Sequence, residues 1–226
     1  MNEGQYYSQL ETAWDILKKL RLDKDRIWNP VYSRLAVSAF RGLTYLETWR
    51  ECFREQFYNF QLYDNALLQF RVESFRPPQI NYVYYECPYQ CIPYGDFVRQ
   101  YWDLEPHDVG DELMTDYETY LATCNVKETV TPIRYDYKPA HYVQGRHPAS
   151  HVHFGHTNNV RVGTKKMLVR PLTFFLFVIR QCYPDSWIML LEESGAPSWC
   201  RNVRESLPDV DAQYWGPLDE YEIVLH

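Results

Sequence analysis

Residues 58–74 read YNFQLYDNALLQFRVES. Tyr58, Phe60 and Leu62 alternate with polar neighbours, and the apolar residues resume at Leu67, Leu68, Phe70 and Val72. Asp64-Asn65 stands between the two runs. Period-two alternation places one set of side chains on one face of a strand. The Asx pair supplies a turn. The stretch therefore predicts a β-hairpin, and with it an antiparallel sheet.

Upstream, the pattern changes to steps of three and four. In residues 3–21, Tyr7, Leu10, Trp14, Leu17 and Leu20 recur at helical spacing. A second helix is expected from Val31 to Glu55, with Pro30 near its start and Gly42 as an interruption. Tyr32, Leu35, Phe40, Leu43, Leu46, Trp49 and Phe53 read there as core.

Downstream, Pro77-Pro78 breaks the chain, and Ile80–Tyr85 (INYVYY) has strong strand propensity. Cys87–Pro93 is a proline-punctuated loop, and residues 111–123 read as a helix. Thr129–Tyr137 and residues 150–156 read as strands, with Asn158-Asn159 turning into Val160–Val162. Pro171 opens a helix that is apolar nearly all round, and Pro184 closes that segment. From Glu192 the tail is polar, with one short helix and coil expected. The predicted class is α+β: a mainly antiparallel sheet of about five to seven strands, N-terminal helices and a buried C-terminal helix. A single domain over 1–226 is expected, with a helical part to 56, an α+β core over 57–190 and a tail from 191.

The 226 residues include 20 Tyr, 11 Phe and 7 Trp, which supplies apolar area for a sizeable core. There is no apolar run of about 18 residues, so no membrane span and no membrane partner are expected. The first residues carry no basic region followed by an apolar stretch, which predicts a cytoplasmic protein. The six cysteines are dispersed and read as buried reduced thiols, although Cys87 and Cys91 are spaced to share a metal.

The net charge of −7 argues against bulk-charge binding to nucleic acid. The distribution is uneven. Between Arg134 and Arg170 stand seven basic residues (Arg134, Lys138, Arg146, Arg161, Lys165, Lys166, Arg170) and a single acid, Asp136. Such a block either meets an anionic ligand or docks on an acidic surface, the protein's own or a partner's.

Five of the seven histidines lie in the same segment, at 141, 147, 151, 153 and 156. On a strand, His151 and His153 share a face while Val152 and Phe154 take the other. Three chemistries suit that face. In the first, paired imidazoles hold a divalent metal through His151, His153 and His156 and serve a metal-dependent hydrolase. The spacing resembles the first metal motif of the metallo-β-lactamase fold, with Gly155 where that motif has an acid. In the second, no cofactor is needed. His151 and His153, with His147 beside them, act as acid and base on RNA, Arg161 and Arg134 stabilise phosphate, and Asp136 orients a ring. Lys138, Arg146, Lys165 and Lys166 extend the ligand-binding face. In the third, the face is a non-catalytic module that binds a partner protein or a nucleic acid. Beside these stands a purely structural role, in which strand histidines hydrogen-bond buried backbone or carboxylates.

The run HPASHVHFGH, followed by NNVRV and RPLTFFLFVIRQCYPDSW, resembles the C-terminal signature of an uncharacterised bacterial domain-of-unknown-function family. Tyr58, Leu62, Asp64, Gln69 and Phe70 resemble its earlier motif. This likeness covers roughly residues 55–190 and implies fold kinship without an activity. Arg134-Tyr135-Asp136 and the following His-rich strand bear a fainter likeness to toxin components of bacterial toxin–antitoxin pairs. That likeness implies a toxin or antiviral-defence role for a nuclease-like protein.

Overall fold

A computed structural model describes residues 1–31, 42–157 and 160–221. Part of the expected second helix and the Asn158-Asn159 turn lie outside the described residues.

The protein is α+β, with a seven-stranded antiparallel sheet whose strands lie side by side in chain order. They are β1 (Asp23–Arg26), β2 (Phe60–Leu62), β3 (Leu67–Phe75), β4 (Pro78–Tyr85), β5 (Ile133–Tyr137), β6 (Ser150–Phe154) and β7 (Val160–Gly163). The hairpin read from residues 58–74 is β2 and β3. Asn65 takes the left-handed φ of 65° that its turn needs.

Helices cover one face of the sheet. The first, α1 (Glu3–Lys19), begins with a capping box between Asn2 and Gln5. Its buried stripe is headed by Tyr6 and continues through Leu10, Ala13, Trp14 and Leu17. The Tyr6 hydroxyl donates to the carbonyl of Phe70 and ties the helix to β3. A long apolar helix, Pro171–Cys182, packs beside α1 on the same face. Phe174 sits fully buried against Phe70 and Tyr82. One core gathers these helices with the residues of β2 to β6 that point toward them, among them Phe60, Phe70, Tyr82, Tyr135 and Val152.

The opposite face is divided. Three helices inserted between strands make a second core over the β2–β3 end: α2 (Tyr45–Arg54), α3 (Tyr94–Trp102) and, after the four-residue α4 (Pro106–Val109), α5 (Met114–Thr123). Trp49, Leu67, Phe97, Tyr117 and Leu121 are buried there. The β5–β7 part of this face, with Asn81 of β4, carries polar residues instead.

Three elements depart from the sequence reading. The short polar strand β1 and the helix α3 are not marked by periodicity. Pro184 ends the apolar helix, α6, but also opens α7 (Pro184–Glu192), because proline is as favourable at a first helical position as it is disruptive inside one. The tail then contributes α8 (Ala196–Glu205). Among the described residues, no helix is long and apolar enough to cross a membrane.

Candidate functional site

Strand register builds the site in two adjacent rows. Gln69, Val83, Arg134, His153 and Arg161 are successive cross-strand partners on β3 to β7. The next row is Arg71, Asn81, Asp136, His151 and Gly163. Val152, between the two histidines, is buried in the opposite core, as alternation requires.

Both imidazoles are buried, His151 at 1% and His153 at 2% exposure, and Asp136 is 7% exposed. A buried carboxylate needs partners on both oxygens. Asn81 Nδ2 donates to Oδ1 at 2.6 Å, and Arg134 Nε donates to Oδ2 at 2.9 Å. His153 Nε2 stands 3.4 Å from the same Oδ2, and His151 Nε2 stands 3.8 Å away. Burial alone would raise the Asp136 pKa. His153, Arg134, Asn81 and Lys138 outweigh it and hold the carboxyl well below the usual range.

His151 has a fixed tautomer. Its Nδ1 lies 2.7 Å from the carbonyl of Pro148, which can only accept, so Nδ1 carries the proton and Nε2 the lone pair. Burial drives its pKa down to about 3 against the pull of Asp136, with His153 and Arg161 adding to the depression. His151 is therefore neutral near pH 7 and is not a proton donor there. His153 has other partners. Nε2 faces Asp136, while its buried Nδ1 has no hydrogen-bond partner among the described residues.

His147 extends the pair outward, with its ring centroid 5.0 Å from that of His151, and His141 follows at 6.2 Å from His147. Four imidazoles thus run in file from exposed His141 through half-buried His147 to the interior pair, whose centroids are 4.7 Å apart. Burial, then Arg161, lowers the His147 pKa. Arg161, opposite His153, has a buried Nε without a partner among the described residues.

His156 does not join this group. Its Nε2 meets the carbonyl of Leu43 at 2.9 Å, and its ring packs on Tyr45, so it ties the end of β6 to the approach of α2. The group whose ligand atoms lie within 4.8 Å of one another is Asp136, His151 and His153, in place of the expected His151, His153 and His156. Gly155, at φ 86°, turns the chain before His156 and takes that side chain off the strand's alternation.

The basic block is likewise split. Lys165 pairs with Glu220 at 3.1 Å and Lys166 with Asp209 at 2.9 Å, both on the acidic C-terminal segment. Lys138 meets Glu73 at 3.4 Å. Arg146 is exposed on the Val143–His147 turn. Of the seven cations, Arg134 and Arg161 share the histidine row. Asn81 is the partner that sequence reading missed. Its only signal was its place on the polar face of INYVYY.

No curated protein and no solved structure matches the chain. A family model does match, over residues 15–213, a span that takes in the whole sheet, the second core and every residue of the site, and leaves out most of α1. The chain belongs to the uncharacterised conserved protein family DUF2290.

Proposed function

We propose that this chain is a nuclease-like protein acting on RNA through the face of His153, Asp136, Arg134, Arg161 and His147. The observation that carries the reading is the state of His153: one ring nitrogen held by a carboxylate, the other without a partner, beside two guanidinium groups. A carboxylate on one nitrogen orients an imidazole and stabilises its protonated form, which is the arrangement a general base uses.

RNA supplies its own nucleophile. In this structure His153 Nδ1 is buried, so the reaction requires the groups that cover it to part; Nδ1 then takes the proton of a 2′-hydroxyl as that oxygen attacks phosphorus. The bond to the 5′-oxygen breaks, and His147 gives that oxygen its proton. Arg161 and Arg134 stabilise the charge that builds on phosphorus oxygens. His151, neutral and tied to Pro148, keeps the file of rings in place. Because His147 must be protonated and its pKa is lowered, the reaction runs faster on the acid side of neutrality.

The test is cleavage of single-stranded RNA by purified protein with and without chelator. Cleavage that survives the chelator and is lost in folded His153→Ala and Arg161→Ala variants is the expected result. Full cleavage by His153→Ala would overturn the assignment. Growth arrest on expression, lost in the same variants, is the expected cellular effect of a toxin or defence component.

A second reading rests on the converging Asp136, His151 and His153 ligand atoms and makes the protein a metal-dependent hydrolase. The fixed Nδ1–H of His151, donated to a carbonyl, suits a metal ligand. Local charge opposes it. Arg134 already donates to the oxygen nearest both histidines, and Arg161 adds a second cation to the row. The same chelator arm separates the two readings.

A further inference from the structure

A second chemical site lies under α5, outside the histidine face. Cys87 is buried and Cys91 half-buried, and their sulfurs stand 3.9 Å apart. The loop between them is pinned to the segment after α5. Gln90 N donates to the carbonyl of Asn125 at 2.9 Å, and Lys127 N donates to that of Pro88 at 2.8 Å. The approach of the two sulfurs is therefore held by backbone hydrogen bonds.

The Cys91 sulfur has a polar cradle. Asn65 Nδ2 lies 3.8 Å from it and the Tyr117 hydroxyl 4.0 Å. Asn65 is fully buried, and its own oxygen accepts from Gln61 Nε2 at 3.1 Å, which turns its amide protons toward Tyr117 and Cys91. Lys127 adds positive charge nearby. The Asn65 amide is the donor that favours a thiolate here, since the Tyr117 hydroxyl proton goes to the Ile92 carbonyl at 2.7 Å and Lys127 is paired with Glu86 at 2.8 Å. The hydrogen bond from Cys87 is the largest of these effects, and together they bring the Cys91 pKa down to about 7, while the same bond and burial push Cys87 up. Among the described residues, no third His, Cys, Asp or Glu joins the two sulfurs in a metal-ligating group.

We infer that Cys91 and Cys87 form a peroxide-reactive dithiol, with Cys91 as the attacking sulfur and Cys87 as the resolving one. The Cys91 thiolate attacks one oxygen of hydrogen peroxide. The O–O bond breaks, hydroxide leaves, and Cys91 becomes a sulfenic acid. The Cys87 sulfur then attacks the Cys91 sulfur, and the S–O bond breaks. The departing hydroxyl takes the Cys87 proton and leaves as water, with a disulfide between the two sulfurs. Two thiols are oxidised and one peroxide is reduced to two waters. A thiol reductant reverses the change.

The half-buried Cys124, Cys182 and Cys200 are internal controls within the same molecule. Reduced protein is treated with limiting peroxide at pH 7, quenched with an alkylating agent and mapped by peptide mass. The expected product is a Cys87–Cys91 disulfide. In a separate alkylation series, Cys91 should react roughly tenfold faster than the three controls, with its rate rising through pH 7. In Cys87→Ser, a sulfenic acid at Cys91 should persist and be trapped by dimedone. Oxidation of Cys91 no faster than the controls, or a disulfide with any other partner, would overturn the proposal.

Discussion

The Asp136 carboxylate meets His153 on the diagonal: Oδ2 is 3.4 Å from His153 Nε2 and 3.8 Å from His151, although His151 is its direct partner in the β5–β6 register. A carboxylate shared between Arg134 and a diagonal imidazole leaves the opposite His151 free to satisfy itself on the backbone. The two histidines of one strand therefore have different partners, a carboxylate for His153 and a backbone carbonyl for His151.

Asp136→Asn keeps the shape of that group and removes its charge. Breaking a buried pair costs about 3–5 kcal/mol, and the Arg134 side chain here is 30% exposed, so a loss of about 2 kcal/mol is expected. Urea unfolding measures it. An unchanged midpoint would mean that the carboxylate adds no net stability.

The depressed pKa of His151 makes stability depend on pH. The unfolded chain takes up a proton near the ordinary histidine value of 6.5, and the folded one only at about 3. Stability is full above pH 6.5 and falls as the pH drops toward 3. The slope approaches about 1.4 kcal/mol per pH unit. His147 acts in the same direction. Melting temperatures between pH 6.5 and 5, above most carboxylate titration, should decline in the wild type. They should decline less in His151→Gln.

Phe174→Ala should cost about 3–5 kcal/mol, because the ring is fully buried between β3, β4 and α6 and its loss leaves a cavity. Val160→Ala, at a position 54% exposed, should change stability by less than about 0.5 kcal/mol. Thermal denaturation of the pair checks both values.

RNA affinity should distinguish the two arginines of the row from the neutralised lysines. Arg161→Ala should lower the salt slope of binding to single strands by about 0.7, the effect of one lost phosphate contact. The double variant Lys165→Ala, Lys166→Ala should leave the slope unchanged, since Glu220 and Asp209 already hold those charges. A titration over several salt concentrations gives both slopes, and a large effect from the lysine variant would move the binding surface to the C-terminal segment.

Much of the sheet was legible because alternation is a local property. Residues 58–74 contain both strands and the turn, and His151-Val152-His153-Phe154 declares its own two faces. What could not be read was set by distant pairing. Asn81 became a partner of Asp136 only through the β4–β5 register. His156 left the histidine face because Leu43, far away in sequence, offered a carbonyl. The pairing of Lys165 and Lys166 with Glu220 and Asp209 likewise exists only once the tail folds back. β1 is four polar residues, DKDR, whose strand state comes from the neighbouring β2.

The strands follow one another across the sheet in chain order, yet the helix pair that covers them joins opposite ends of the polypeptide. In kinetic terms these are different tasks. β2, β3 and β4 are linked by short turns and can zip together locally, whereas docking α1 on α6 closes a loop of roughly 150 residues. The meander is thus suited to early assembly, and the clasp between the first and sixth helices to late consolidation. Amide protons of β3 and β4 should accordingly gain protection before those of α1 during refolding.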